Sequence, residues 1–240
     1  MLRNFVLLHG AFHGGWCWRF VAERLRARGH HVTTPTQTGV GERRHLISRK
    51  LTLDDFTTDL VNHITMEDLT DIVLVGHSFG GGPISGAADR MPERIRHLVY
   101  LDARVLENGQ APFDLGVADI NEARRRSAID SSGGLSIPPP TPLSFGVPDG
   151  PLADWLRSHL TPHPLSTFQT KLTLRHPVGN DRPKTYIACT DPLYPSLADT
   201  RAMLRGRADW NWREIATGHD AMVTAPDELA MMLEEIAALP

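Results

Sequence analysis

Ile72-Val73-Leu74-Val75-Gly76-His77-Ser78-Phe79-Gly80 is the stretch that decides the fold. Four consecutive aliphatic residues read as a strand buried on both faces, as in a parallel sheet. The run ends in Gly76-His77-Ser78-Phe79-Gly80, which fits G-x-S-x-G, and a small-residue helix through Gly86-Ala87-Ala88 follows. Strand, sharp turn and helix together are the setting of a nucleophile elbow, in which the turn strains the serine backbone and presents its Oγ above the sheet. A glycine-rich turn with an incidental serine has the same five letters but lacks that flanking pattern.

The rest of the chain repeats the strand–helix rhythm. Strands are expected at about Asn4 to Leu8, His31 to Thr34, Ile95 to Leu101, Thr185 to Cys189 and Asn211 to Ala216. Helices are expected from about Trp16 to Arg28, from an N-cap at Thr52 to about Met66, from about Ser196, and from Pro226. Alternation of this kind predicts an α/β fold: a mainly parallel six-stranded sheet with helices on both faces. The rhythm breaks between Arg104 and Arg182, where Gly and Pro are frequent and Phe113, Phe145, Trp155 and Phe168 are scattered. The aromatic side chains argue for an inserted cap rather than a free linker. The expected division is therefore a core of residues 1–103 and 183–240, with a cap of residues 104–182.

Composition narrows the functional classes. The 240 residues are 41% hydrophobic and 22% charged, ordinary for one globular domain with an insertion. A net charge of −3 lacks the basic footprint of a nucleic-acid binder, and Arg124-Arg125-Arg126 reads as the solvated face of a helix. No stretch has the length of a membrane span. Cys17 and Cys189 make no disulfide framework and read as small core residues, so the expected setting is cytoplasmic.

A serine hydroxyl needs a base. Of the 12 histidines, His219 follows the last strand in Thr217-Gly218-His219-Asp220, where the base belongs in the chain order Ser, acid, His. Two carboxylates compete for the acid: Asp191, after the fifth strand, and Asp102, at the end of the fourth. Strand ends of open parallel sheets gather at one edge, so either can reach the imidazole, and chain order favours Asp191. Oxyanion donors are expected at the N–H of Phe79 and in the loop His9-Gly10-Ala11-Phe12-His13-Gly14-Gly15-Trp16, with Ala11 the natural candidate. That loop lacks the lysine of a phosphate cradle, and His9 and His13 lack the helical setting of a metal pair, so neither cofactor nor metal is expected.

With these motifs placed, the chain resembles the plant hydroxynitrile lyase and methyl esterase family of α/β-hydrolases and its bacterial esterase relatives. The resemblance lies in Phe5-Val6-Leu7-Leu8-His9-Gly10-Ala11-Phe12-His13-Gly14-Gly15-Trp16, Val73 to Gly81, Tyr186-Ile187-Ala188-Cys189-Thr190-Asp191 and Gly218-His219. It implies a six-stranded core, a cap after the fourth strand, a Ser78–Asp191–His219 triad and oxyanion donors at Ala11 and Phe79. More distant relatives carry the acid after the preceding strand, which keeps Asp102 in contention. The lyase members have a threonine where this chain has Gly10 and a lysine where it has Asp220. Here Gly10 is expected to leave room for a carbonyl and a water, and Asp220 to repel cyanide, so both departures favour hydrolysis. The expected function is cleavage of a small, largely apolar carboxylic ester, or a carbamate or amide-like bond, through an acyl-enzyme. Trp16 and Trp155 are candidates for the pocket wall, although a core role is the more expected one for each taken singly. A C–C lyase and a non-enzymatic small-molecule binder are the competing readings, and oligomeric state, a homodimer included, is left open by the sequence.

Overall fold

The structure is a computed structural model and describes residues 2–239. Six strands form one sheet: β1 (Asn4–Leu8), β2 (His31–Thr33), β3 (Ile72–His77), β4 (Ile95–Leu101), β7 (Lys184–Cys189) and β8 (Asn211–Ile215). Their order is β2-β1-β3-β4-β7-β8, and every pairing is parallel. Chain direction across the sheet reverses between β1 and β3, the point at which open α/β sheets place their ligands.

Strand alternation sorts the core into two layers. Phe5, Leu7, Val73, Val75, Val99 and Leu101 pack on one face against Val21 and Leu25 of α1 (Arg19–Ala27) and Leu229 and Leu233 of α8 (Pro226–Ala237). Val6, Leu8, Leu74, Leu98 and Tyr100 pack on the other against Leu60 and Ile64 of α2 (Leu53–Met66) and Ile84 and Ala87 of α3 (Gly81–Arg90). Each fully buried aliphatic side chain contributes about 1.5–3 kcal/mol of transfer free energy, which is why the continuous run Ile72–Val75 takes the sheet centre. The expected helix at Trp16 begins as a 3-10 turn, Gly15–Trp18, before α1. The one expected near Ser196 likewise begins as a 3-10 turn, Pro195–Leu197, before α7 (Ala198–Leu204).

Between β4 and β7 the chain leaves the sheet. It forms α4 (Ala118–Ser132), α5 (Pro151–His159), α6 (Leu165–Gln169) and a two-stranded antiparallel pair, β5 (Ser136–Ile137) with β6 (His163–Pro164). This segment has its own apolar cluster, in which Phe113, Phe145, Leu156 and Phe168 meet Leu53, Phe56 and Phe79 from the core. The insertion is thereby seated over the strand ends that carry Ser78. Cys17 and Cys189 are free and buried. Among the described residues, no helix is long and apolar enough to cross a membrane.

Candidate active site

Ser78 occupies the left-handed region at φ 53°, a conformation that strains a residue bearing Cβ and that recurs at functional turns. The flanking glycines are required by close approach. A Cβ on Gly76 would lie 2.8 Å from the Gly80 carbonyl oxygen, and one on Gly80 would lie 2.8 Å from that of His9. β1, the turn and the start of α3 therefore pass within backbone contact distance, and this packing holds the strained serine in place.

Ser78 Oγ lies 2.9 Å from His219 Nε2, and His219 Nδ1 lies 2.7 Å from Asp102 Oδ2. A carboxylate only accepts, so Nδ1 carries the proton and Nε2 is free to accept from the serine hydroxyl. Asp102 is fully buried, and its second oxygen accepts from Arg201 Nη1 at 3.3 Å. The sheet register explains which carboxylate reaches the imidazole. His77 is the partner of Leu101 across β3 and β4, so Ser78 and Asp102 each stand one step beyond paired residues. The expectation that Asp191 holds His219 is corrected here. Asp191 is exposed, its backbone N–H held by the Thr217 carbonyl at 3.1 Å, and it makes no contact with the imidazole. Tyr194 stacks on the His219 ring at 3.9 Å and 16°, fixing its plane.

Ala11 and Phe79 border the cavity beside Ser78. The Phe79 N–H lies in the first turn of the 3-10 helix Ser78–Gly80, where backbone donors have no intrahelical acceptor. The cavity is narrow, about 20 Å³, and Phe145, Phe168 and Tyr194 complete its apolar wall. Of the two roles open to Trp16 and Trp155, packing is the one they take: they meet edge-to-face at 5.4 Å against the apolar core and do not border the cavity.

A group of buried histidines underlies the site. His13 donates from Nδ1 to the Ala11 carbonyl (2.7 Å) and from Nε2 to Asp220 Oδ2 (3.0 Å). Both partners accept only, so the ring is an imidazolium. Burial opposes that charge, but the Asp220 carboxylate and the Ala11 carbonyl outweigh it and raise the His13 pKa. His77 donates to the His219 carbonyl at 3.0 Å and anchors the loop that carries that ring. Burial, then the neighbouring His219 and His13 rings, keep His77 neutral, with its pKa well below the ordinary value. His9 donates to the Gly10 carbonyl and accepts from the Gln37 N–H. Burial brings its pKa down to about 4.

Of the two positions that depart from the lyase pattern, Asp220 changes its reading. Asp220 is fully buried beneath the site against His13 and does not border the cavity, so it cannot act on a departing anion there. At Gly10 a side chain has no room: a Cβ on it would lie 2.8 Å from both His77 Nδ1 and Ser78 Cβ. Glycine at this position is what allows β1 to pack against the elbow.

The charged lining was not foreseen. Arg104 and Arg124 both border the cavity. Arg104 is buried, with Nη1 donating to the carbonyls of Pro112 (3.1 Å) and Leu115 (2.9 Å). Arg124, on α4, donates to the Tyr194 hydroxyl at 2.8 Å. Of the run read as a solvated face, only Arg126 is exposed, while Arg125 lies over the Phe113 ring at 4.4 Å.

Comparison with known proteins gives a consistent picture. The family model described as "Alpha/beta hydrolase family" matches residues 5–231. A "carbendazim hydrolyzing esterase" of Nocardioides sp. (strain SG-4G) is 40% identical, covering 99% of this chain and 100% of its own. Methylesterase 7 of Arabidopsis thaliana is 27% identical, covering 98% of this chain and 96% of its own. Among solved structures, an extracellular alpha/beta-hydrolase from a Paenibacillus species superposes with a TM-score of 0.86 at 27% identity, over 99% of this chain and all of its own. That protein is described as sharing structural and functional homology with tobacco salicylic acid binding protein 2.

Proposed function

The chain belongs to the alpha/beta hydrolase family and is an ester-hydrolysing enzyme, and from that premise we propose that Ser78, His219 and Asp102 hydrolyse a small carboxylic ester through an acyl-enzyme. The observation that carries this reading is the hydrogen-bonded line from Ser78 Oγ through His219 to buried Asp102. Ser78 attacks the ester carbonyl as His219 Nε2 takes its proton. Asp102 holds the tautomer that leaves Nε2 free and stabilises the imidazolium that forms. The oxyanion rests on the N–H groups of Ala11 and Phe79. His219 returns the proton to the leaving alcohol, then activates a water that releases the acid. A carbamate or amide-like carbonyl can enter the same sequence.

Hydrolysis is favoured over C–C cleavage because the packing at Gly10 excludes the threonine hydroxyl of the lyases and Asp220 offers no cation to the cavity. The free thiols of Cys17 and Cys189 suit a reducing, cytoplasmic setting. The experiment is hydrolysis of p-nitrophenyl acetate. The parent protein turns it over, and Ser78→Ala loses about 10⁴-fold or more of kcat. A Ser78→Ala protein with the parent rate would overturn the assignment.

A further inference from the structure

Beyond the narrow cavity lies a wider groove of about 540 Å³ between α4 and the segment at Pro138-Pro139-Pro140. The two spaces share three wall residues, Phe12, Arg124 and Tyr194. The groove lining is largely apolar, with Ile120, Ala123 and Ile137 among it, and Arg124 is its charged residue. Neither cavity nor groove is bordered by an Asp or Glu. Among the described residues, no carboxylate lies within 4.0 Å of the Arg104 or Arg124 guanidinium. The two cations are close enough to oppose each other: burial first, and then the Arg124 charge, bring the Arg104 pKa down to about 10. Asp199 lies close enough to favour the Arg104 charge, whereas Arg124 has only the Tyr194 hydroxyl, and a guanidinium so placed in an apolar wall is a site at which a carboxylate gains a charge-assisted, bidentate hydrogen bond.

We propose that the substrate is a monoester of a dicarboxylic acid, and that Arg124 is a specificity residue that binds its free carboxylate. The sizes of the two spaces orient it. The small cavity at Ser78 favours the ester group of the smallest alcohol, and the apolar body of the acid extends past Tyr194 to place its carboxylate on Arg124. Ser78 displaces the short alcohol, which leaves with the proton from His219, and water then cleaves the acyl–Ser78 bond to release the dicarboxylate. This deepens the esterase reading and rests on it for the reaction, though not for the binding.

The test is calorimetric titration of the Ser78→Ala protein with monomethyl adipate and with dimethyl adipate. The monoester binds roughly ten- to thirtyfold more tightly. In Ser78→Ala/Arg124→Gln the ratio of the two Kd values falls to about one, and Arg124→Lys recovers part of it because charge without the fork is a weaker partner. The preference also shrinks as salt rises. Equal affinity for the two esters in Ser78→Ala, or a preference that survives Arg124→Gln, would overturn the proposal. Failure of the parent to hydrolyse p-nitrophenyl acetate would overturn the esterase reading alone, since the binding ratio is measured without turnover.

Discussion

His219 is held on every side. Ser78 and Asp102 take its two nitrogens, Tyr194 stacks on its face, and His77 donates to its carbonyl. At this scale the acid is the sharpest prediction. Asp102→Asn, which favours the wrong tautomer, lowers kcat by about 10⁴-fold, whereas Asp191→Asn leaves kcat/KM near the parent value. Steady-state kinetics on the two variants check this, and equal losses would contradict the geometry. The His13–Asp220 pair makes a second prediction, in stability. Removing one member of a buried ion pair costs about 3–5 kcal/mol. His13 has a raised folded pKa, so the pair's contribution is fully present below about 6.5 and is lost as pH rises through that raised value. Asp220→Asn therefore lowers the urea midpoint more at pH 6 than at pH 9. A pH-independent loss would show that the pair carries no charge.

Among the elements, the strands were legible and the insertion was not, for physical reasons. β1, β3 and β4 bury continuous apolar runs, a pattern written directly in Phe5–Leu8, Ile72–Val75 and Leu98–Leu101. Helix α4 buries only Asn121 and Ala128, so its sequence shows no apolar stripe, and Arg124 could not be told from its solvated neighbours. The acid was ambiguous because Asp102 and Asp191 both follow strands. Only the register of β3 with β4 sets Asp102 beside Ser78. Helix α2 links core and insertion. Thr52 and Asp55 form a capping box at its start, and the Leu53 N–H donates to Thr170 of the insertion at 2.8 Å. Thr52→Ala costs about 1 kcal/mol, read as a lower urea midpoint at unchanged slope.

Across the whole molecule, buried neutral histidines set the acid limit. Burial lowers the pKa values of His9 and His97 to about 4 and holds His77 and His163 well below the ordinary value. Each ring takes up its proton on unfolding near pH 6.5 but resists it when folded. Stability therefore falls below pH 6.5, by up to about 1.4 kcal/mol per pH unit for each ring. Against a total of about 5–15 kcal/mol for a typical protein, four such rings predict cooperative acid unfolding between pH 4 and 6, followed by circular dichroism. A fold unchanged at pH 4 would mean these rings titrate while buried. The same architecture, a sheet whose strand ends converge under an inserted segment, brings Ser78, His219 and Asp102 together, and the proposed chemistry rests on one hydroxyl. Its most direct test is covalent: brief reaction with a fluorophosphonate, followed by intact-mass measurement and peptide mapping. The account predicts one adduct per chain, on Ser78, formed far more slowly in Asp102→Asn and absent from Ser78→Ala. An unlabelled parent protein, or an adduct mapped to any other residue, would contradict it.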